Sequence, residues 1–103
     1  MTESRGMERC AEASSFSAFQ KGGQVHVSAM GTHRTGGYKT LLTQAPMSVF
    51  PPQFILYHAR PSGPVIQVFT PFTESASFTS REIVDQVVVA DAHGRHEVRV
   101  EQK

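Results

Sequence analysis

Apolar and polar residues alternate along much of this chain, and the alternation predicts strands. Gln24-Val25-His26-Val27-Ser28-Ala29-Met30 sends Val25, Val27 and Ala29 to one side and Gln24, His26 and Ser28 to the other, the period of a half-buried strand. Phe16–Gln20, separated from it by the turn signal Lys21-Gly22-Gly23, is placed to pair with it as a hairpin. Tyr38–Thr43 resumes the pattern with Tyr38, Thr40 and Leu42 on one side. Phe54–Ala59 is apolar on both faces and predicts a central strand. Arg60-Pro61-Ser62-Gly63-Pro64 is a turn by composition, and Val65–Thr70 reads as the hairpin partner beyond it. Brief extended pieces are expected at Met47–Phe50 and Ser75–Thr79. Val87-Val88-Val89-Ala90 is β-branched enough to require a strand, and after the Asp91–Gly94 turn His96–Glu101 alternates with Val98 and Val100 inward.

These elements predict an all-β fold, a small antiparallel β-sandwich of about six to seven strands, with a partly open β-barrel as the alternative. Residues 1–13 lack the alternation. A helical turn over Met7–Ala13 would be too short to hold by itself, so a flexible N-terminal tail is expected ahead of a single β-domain over 14–103.

Composition narrows the function classes. A chain of 103 residues has material for one core, and seven Phe and two Tyr help to fill it. The formal net charge is +1, and between residues 40 and 80 Arg60 is the only basic side chain besides His58, so no nucleic-acid partner is expected. The apolar runs are too short for a membrane span, and no membrane partner is expected either. Cys10 is the only cysteine, so no internal disulfide is available. Met1–Gly6 has no apolar h-region. The location expected is cytoplasmic, or periplasmic if a leader has been removed.

The stretch between the two alternating runs is Gly31-Thr32-His33-Arg34-Thr35-Gly36-Gly37-Tyr38. Paired glycines suggest a positive φ or a close backbone approach. Gly31 and Gly36 have the spacing of a phosphate loop, but Gly37-Tyr38 stands where Lys-[Ser/Thr] is required, and a strand follows instead of a helix. A dinucleotide fingerprint fails for the same lack of a helix. What remains is either a tight reversal with Tyr38 at the core rim or an exposed loop offering backbone N–H groups, the Thr35 hydroxyl and the Tyr38 ring to a partner.

Gly31-x-x-x-Thr35-Gly36-Gly37-Tyr38, with a strand on either side, resembles the signature of the PrcB C-terminal domain family, described as bacterial protease-stability-complex subunits. The family usually carries a proline where this chain has Arg34. Its later Pro-aromatic step is matched by Thr70-Pro71-Phe72, and the resemblance spans residues 24–75. It implies a small β-domain with a protein-binding or stabilising role and no catalytic residues. The chagasin-like inhibitors of cysteine proteases are a weaker likeness, sharing Thr35, one glycine and Tyr38. Their Asn-Pro and their Arg-Pro-Trp loop have no counterpart here.

His26, His33, His58, His93 and His96 are expected to be solvated or hydrogen-bonded. A zinc site wants three or four Cys or His ligands, and Cys10 lies far away in the chain, so no metal or other cofactor is expected. No Gly-x-Ser-x-Gly elbow accompanies Asp85, Asp91 and His93. The function that the PrcB-like resemblance implies is a non-enzymatic protein-interaction or protein-stabilising module of bacterial type. Its surface would be Arg34, Thr35, Gly36, Gly37, Tyr38 and Phe72, and its partner a protein, a protease or protease-associated subunit. Homodimer pairing through a β edge is a further expectation. The rivals are a chagasin-like inhibitor, a small hydrolase with a histidine-lined pocket, and a carrier with an apolar cavity. A pocket where His and Asp or Glu converge would favour the enzyme, and an exposed loop the binding module.

Overall fold

The computed structural model describes residues 7–46 and 50–103. Eight strands run in chain order: β1 (Met7–Arg9), β2 (Ala13–Lys21), β3 (Gln24–His33), β4 (Lys39–Gln44), β5 (Gln53–Ala59), β6 (Thr70–Thr79), β7 (Gln86–Asp91) and β8 (Gly94–Gln102). They form one curled sheet in the order β1-β5-β7-β8-β2-β3-β6, with β4 on the other edge of β5. The result is an all-β half-barrel, in line with the sandwich or open barrel expected from the alternation. The edge strands β4 and β6 lie against one another across its opening.

Two hand-overs make the curl. The first part of β8 pairs antiparallel with β7, and its last residues, Val100–Gln102, pair with β2. On β5, Gln53–Ile55 pair with β7 and Tyr57–Ala59 with β1, while β4 follows the opposite edge. The β2–β8 and β5–β7 pairings are parallel, so the sheet is mixed and not purely antiparallel. Alternation reports which face is buried and carries no information on strand direction.

The core lines the concave side. Val25, Val27 and Ala29 of β3, Phe54 and Leu56 of β5, Val87 and Val89 of β7, and Val98 and Val100 of β8 are buried there, and Phe78 of β6 packs its ring on Phe54 at 5.8 Å. Gln20 is polar and buried, and its amide is fully used. Nε2 donates to the Glu82 carbonyl at 2.9 Å, and Oε1 accepts from the Val84 N–H at 2.9 Å. A buried amide with both ends bonded pins the β6–β7 connection at little cost.

Two expectations change, and a third falls largely outside the described residues. Of the tail expected over 1–13, Met7–Arg9 form β1 and Cys10 is fully buried, while residues 1–6 lie outside the description. All three residues of β1 are exposed, so no hydrophobic alternation marks the strand. Val65–Thr70 does not return along β5, because β4, β7 and β1 already occupy both edges of that strand. Residues 60–69 form a connection instead, and β6 pairs with β3 over its whole length. Of the piece expected at Met47–Phe50, residues 47–49 lie outside the described residues.

Phe54 has no exposed surface and anchors β5 in the core. Phe54→Ala is expected to lower the unfolding free energy by about 3–5 kcal/mol in urea titration, the cost of a large core cavity.

Candidate functional site: the histidine cluster and its covering loops

The loop singled out by its glycines is shorter than its sequence suggests, because β3 continues to His33 and β4 begins at Lys39. Arg34 points to solvent, and the Thr35 hydroxyl donates to the Gly36 carbonyl at 3.0 Å. The Gly36 N–H donates to the Ile66 carbonyl at 3.0 Å and so ties this loop to the 60–69 connection. The two glycines differ. Gly37 has φ +87°, and a Cβ there would meet Pro61 Cβ at 2.9 Å. Gly36 is not left-handed, and a Cβ on it would find only Thr70 Oγ1 at 3.9 Å. The conformational requirement rests on Gly37 alone.

Tyr38 and Phe72, both half-buried, come together around a side chain the sequence had left without a role. The Tyr38 ring stacks on His33 at 4.2 Å and 3°, and the Phe72 ring stacks on it at 4.4 Å and 23°. His33 is 2% exposed and His58, 5.7 Å away ring to ring, is 3% exposed. Both arrive by strand parity. His33 continues the inward series Val25, Val27, Ala29, Gly31 of β3, and His58 continues Phe54, Leu56 of β5. The segment from β1 to the start of β2 brings Glu8, Cys10 and Glu12 beside them. Cys10, set aside as remote, has Sγ within 4.8 Å of a ring nitrogen of each histidine.

The backbone of this polar segment is fastened from three sides. Cys10 N–H donates to the Leu56 carbonyl, its own carbonyl accepts from Ala92 N–H, and His93 Nε2 bonds the Ala11 carbonyl, each at 2.9 Å. Thr32 N–H reaches the Glu12 carbonyl at 3.4 Å. Gly31 lets the crossing happen, since a Cβ there would strike the Glu12 carbonyl oxygen and come within 2.8 Å of Ala13 Cα. Asp91 stabilises the turn that supplies Ala92, by accepting from His93 N–H at 2.8 Å and bonding His96 Nε2 at 2.9 Å.

Inside the cluster, His33 Nε2 bonds Thr40 Oγ1 at 3.1 Å and His58 Nε2 bonds Glu8 Oε2 at 3.0 Å. Arg60 Nε donates to the same Glu8 oxygen at 2.8 Å. The other ring nitrogens, His33 Nδ1 and His58 Nδ1, lie 3.3 and 2.9 Å from Glu12 Oε1. Although the distances are short, the directions are poor, and both Nδ1 atoms are buried without a hydrogen bond. Burial holds His33 below its ordinary 6.5 against the pull of Glu12, and pushes the Cys10 thiol above 9.0. The His58 hydrogen bond, then that of Arg60, holds the Glu8 carboxyl below 4.5. A cleft of about 330 Å³ lined by Glu8, Glu12, Tyr38, His58 and Arg60 opens on one side of the cluster.

The sequence-selected residues therefore divide. Tyr38 and Phe72 wall the cluster, Gly36 and Gly37 shape the loop beside it, and Arg34 and Thr35 stand outside. Cys10, Glu8, Glu12, His33 and His58 were missed as a group, although strand parity carried through polar positions would have turned His33 and His58 inward. Comparison of the chain with protein-family models, with curated proteins and with solved structures gave no match.

The two glycines should respond differently to substitution. Gly37→Val, strained at positive φ and crowded by Pro61, is expected to lower the melting temperature by several degrees, whereas Gly36→Ala should leave it unchanged or slightly raised. Equal losses at both positions in differential scanning calorimetry would contradict this account of the loop.

Proposed function

We propose that this domain is a non-enzymatic recognition module, with a binding surface made by the 34–38 loop and the 60–69 connection tied to it. The observation that carries the reading is the exposure of Ile66 (73%), Val68 (52%) and Phe69 (74%) beside a loop held by the Gly36–Ile66 hydrogen bond. Large apolar side chains grouped on one solvent-facing segment are characteristic of protein contact surfaces. The fixed backbone beneath them lowers the ordering cost of binding. The partner is a protein with an apolar patch, in agreement with the role that the PrcB-like signature implies, and Arg34 on the rim favours an acidic border on that partner.

The rival reading, a small hydrolase with a histidine-lined pocket, draws on the convergence of His58, Glu8 and Glu12 at the cleft. Against it, the thiol in the cluster has no exposed surface and burial disfavours its thiolate, the form that attacks. Glu8 is already bonded to His58 and Arg60. A binding function therefore accounts for more of the geometry.

Ile66→Asp/Phe69→Asp tests the surface without touching the core. The double variant should keep the wild-type melting temperature and lose partners retained by the wild type in affinity capture from the source organism. Sedimentation velocity on both proteins identifies the case in which the partner is a second copy. Identical retention by both proteins, with identical sedimentation, would sink the proposal.

A further inference from the structure

The geometry points to a transition-metal site in which Cys10 Sγ, Nδ1 of His33, Nδ1 of His58 and Glu12 Oε1 bind one divalent cation of the zinc class. None of its ligands belongs to the recognition surface. The site rests first on a set of donors converging from three separate parts of the chain, with the cysteine sulfur and a nitrogen of each histidine mutually within 4.8 Å. It rests second on two buried nitrogens that lie beside the same Glu12 oxygen with no hydrogen-bond partner.

The hydrogen bonds on the outer side of each ring decide what the inner nitrogens offer. Glu8 Oε2 is an acceptor, so the His58 proton belongs on Nε2, and Thr40 Oγ1 can accept from His33 Nε2 in the same way. Each Nδ1 then presents a bare lone pair. Metal-binding histidines are held in this manner, with the far N–H given to a carboxylate or another oxygen. Arg60 in turn fixes Glu8. In this tautomer two unprotonated nitrogens lie 3.3 and 2.9 Å from a carboxylate oxygen, close contacts between electron-rich atoms that a cation bound beside all three would relieve.

The spacing fits a tetrahedral ion. Zinc at its usual bond lengths to nitrogen, oxygen and sulfur separates its ligand atoms by about 3.3–3.6 Å. Glu12 Oε1 stands 3.3, 2.9 and 3.8 Å from His33 Nδ1, His58 Nδ1 and Cys10 Sγ, close to three edges of such a tetrahedron. The remaining edges, up to 4.8 Å, draw in by about an ångström on binding. One thiolate, two imidazoles and one carboxylate form a borderline-soft set that suits zinc or cobalt and disfavours magnesium or calcium. Four protein ligands, three of them buried, fill the coordination shell and make a structural site and not a catalytic one. The ion would join the β1–β2 segment, the end of β3 and β5, and so staple the two halves of the curl.

The test uses untagged full-length protein stripped by chelator and titrated with Co²⁺ and then Zn²⁺. One cobalt per chain is expected, with tetrahedral visible bands and a near-ultraviolet thiolate-to-cobalt charge-transfer band. Zinc should displace it and raise the melting temperature. Cys10 is the only thiol in the chain, so that band reports on this site alone. Cys10→Ser should abolish the band, and His58→Gln should weaken binding at least about tenfold. If a variant fails to fold, the wild-type spectrum decides by itself. Absence of binding by folded wild type at micromolar metal, or binding without the thiolate band, would overturn the proposal.

Discussion

The pleat of a β-strand forces every second side chain to the same face, whatever its chemistry. Once Val25, Val27 and Ala29 of β3 enter the core, Gly31 and His33 must follow. Once Phe54 and Leu56 of β5 do so, His58 must follow. The apolar residues supply the driving force, and the histidines at the strand ends are carried inward with them. The β1–β2 segment adds polar side chains from a third direction, and Glu8, Cys10 and Glu12 lie beside the two imidazoles.

Burying so many polar groups has a cost, and the fold offsets most of it locally. Each imidazole has an outer partner, Thr40 for His33 and Glu8 for His58, and Glu8 has Arg60 as well. Stacking with Tyr38 and Phe72 gives His33 apolar contact on its ring. The two Nδ1 atoms are the exception, and buried nitrogens left without a bond cost about 1–3 kcal/mol each. A fold that retains this cost at a single point, while satisfying the neighbouring groups, has the form expected of a ligand site.

Tyr38 borders both the exposed connection and the buried cluster. Its ring rests on His33, and its backbone ends the loop that Gly36 ties to Ile66. The exposed 66–69 segment and the buried cluster thus share one wall. They are built on different principles: the surface depends on leaving apolar side chains in solvent, and the cluster on shielding polar ones from it.

Alternation alone was enough to determine an all-β chain, the β2–β3 hairpin, the central place of Phe54–Ala59 and the inward set on β8, because side-chain burial is a local property of the pleat. The glycine-rich stretch was correctly read as a strand-to-strand connection. Which of its two glycines is constrained depended on Pro61, a neighbour in space and not in sequence. Strand partners were also beyond local reading. Val65–Thr70 looked like a partner for β5 until β4, β7 and β1 filled both edges of that strand. Only the tertiary structure could bring Cys10 beside His33 and His58, since the donors come from segments far apart in the chain. Their convergence is set by how the sheet curls, and neither residue type nor spacing along the chain encodes that geometry locally.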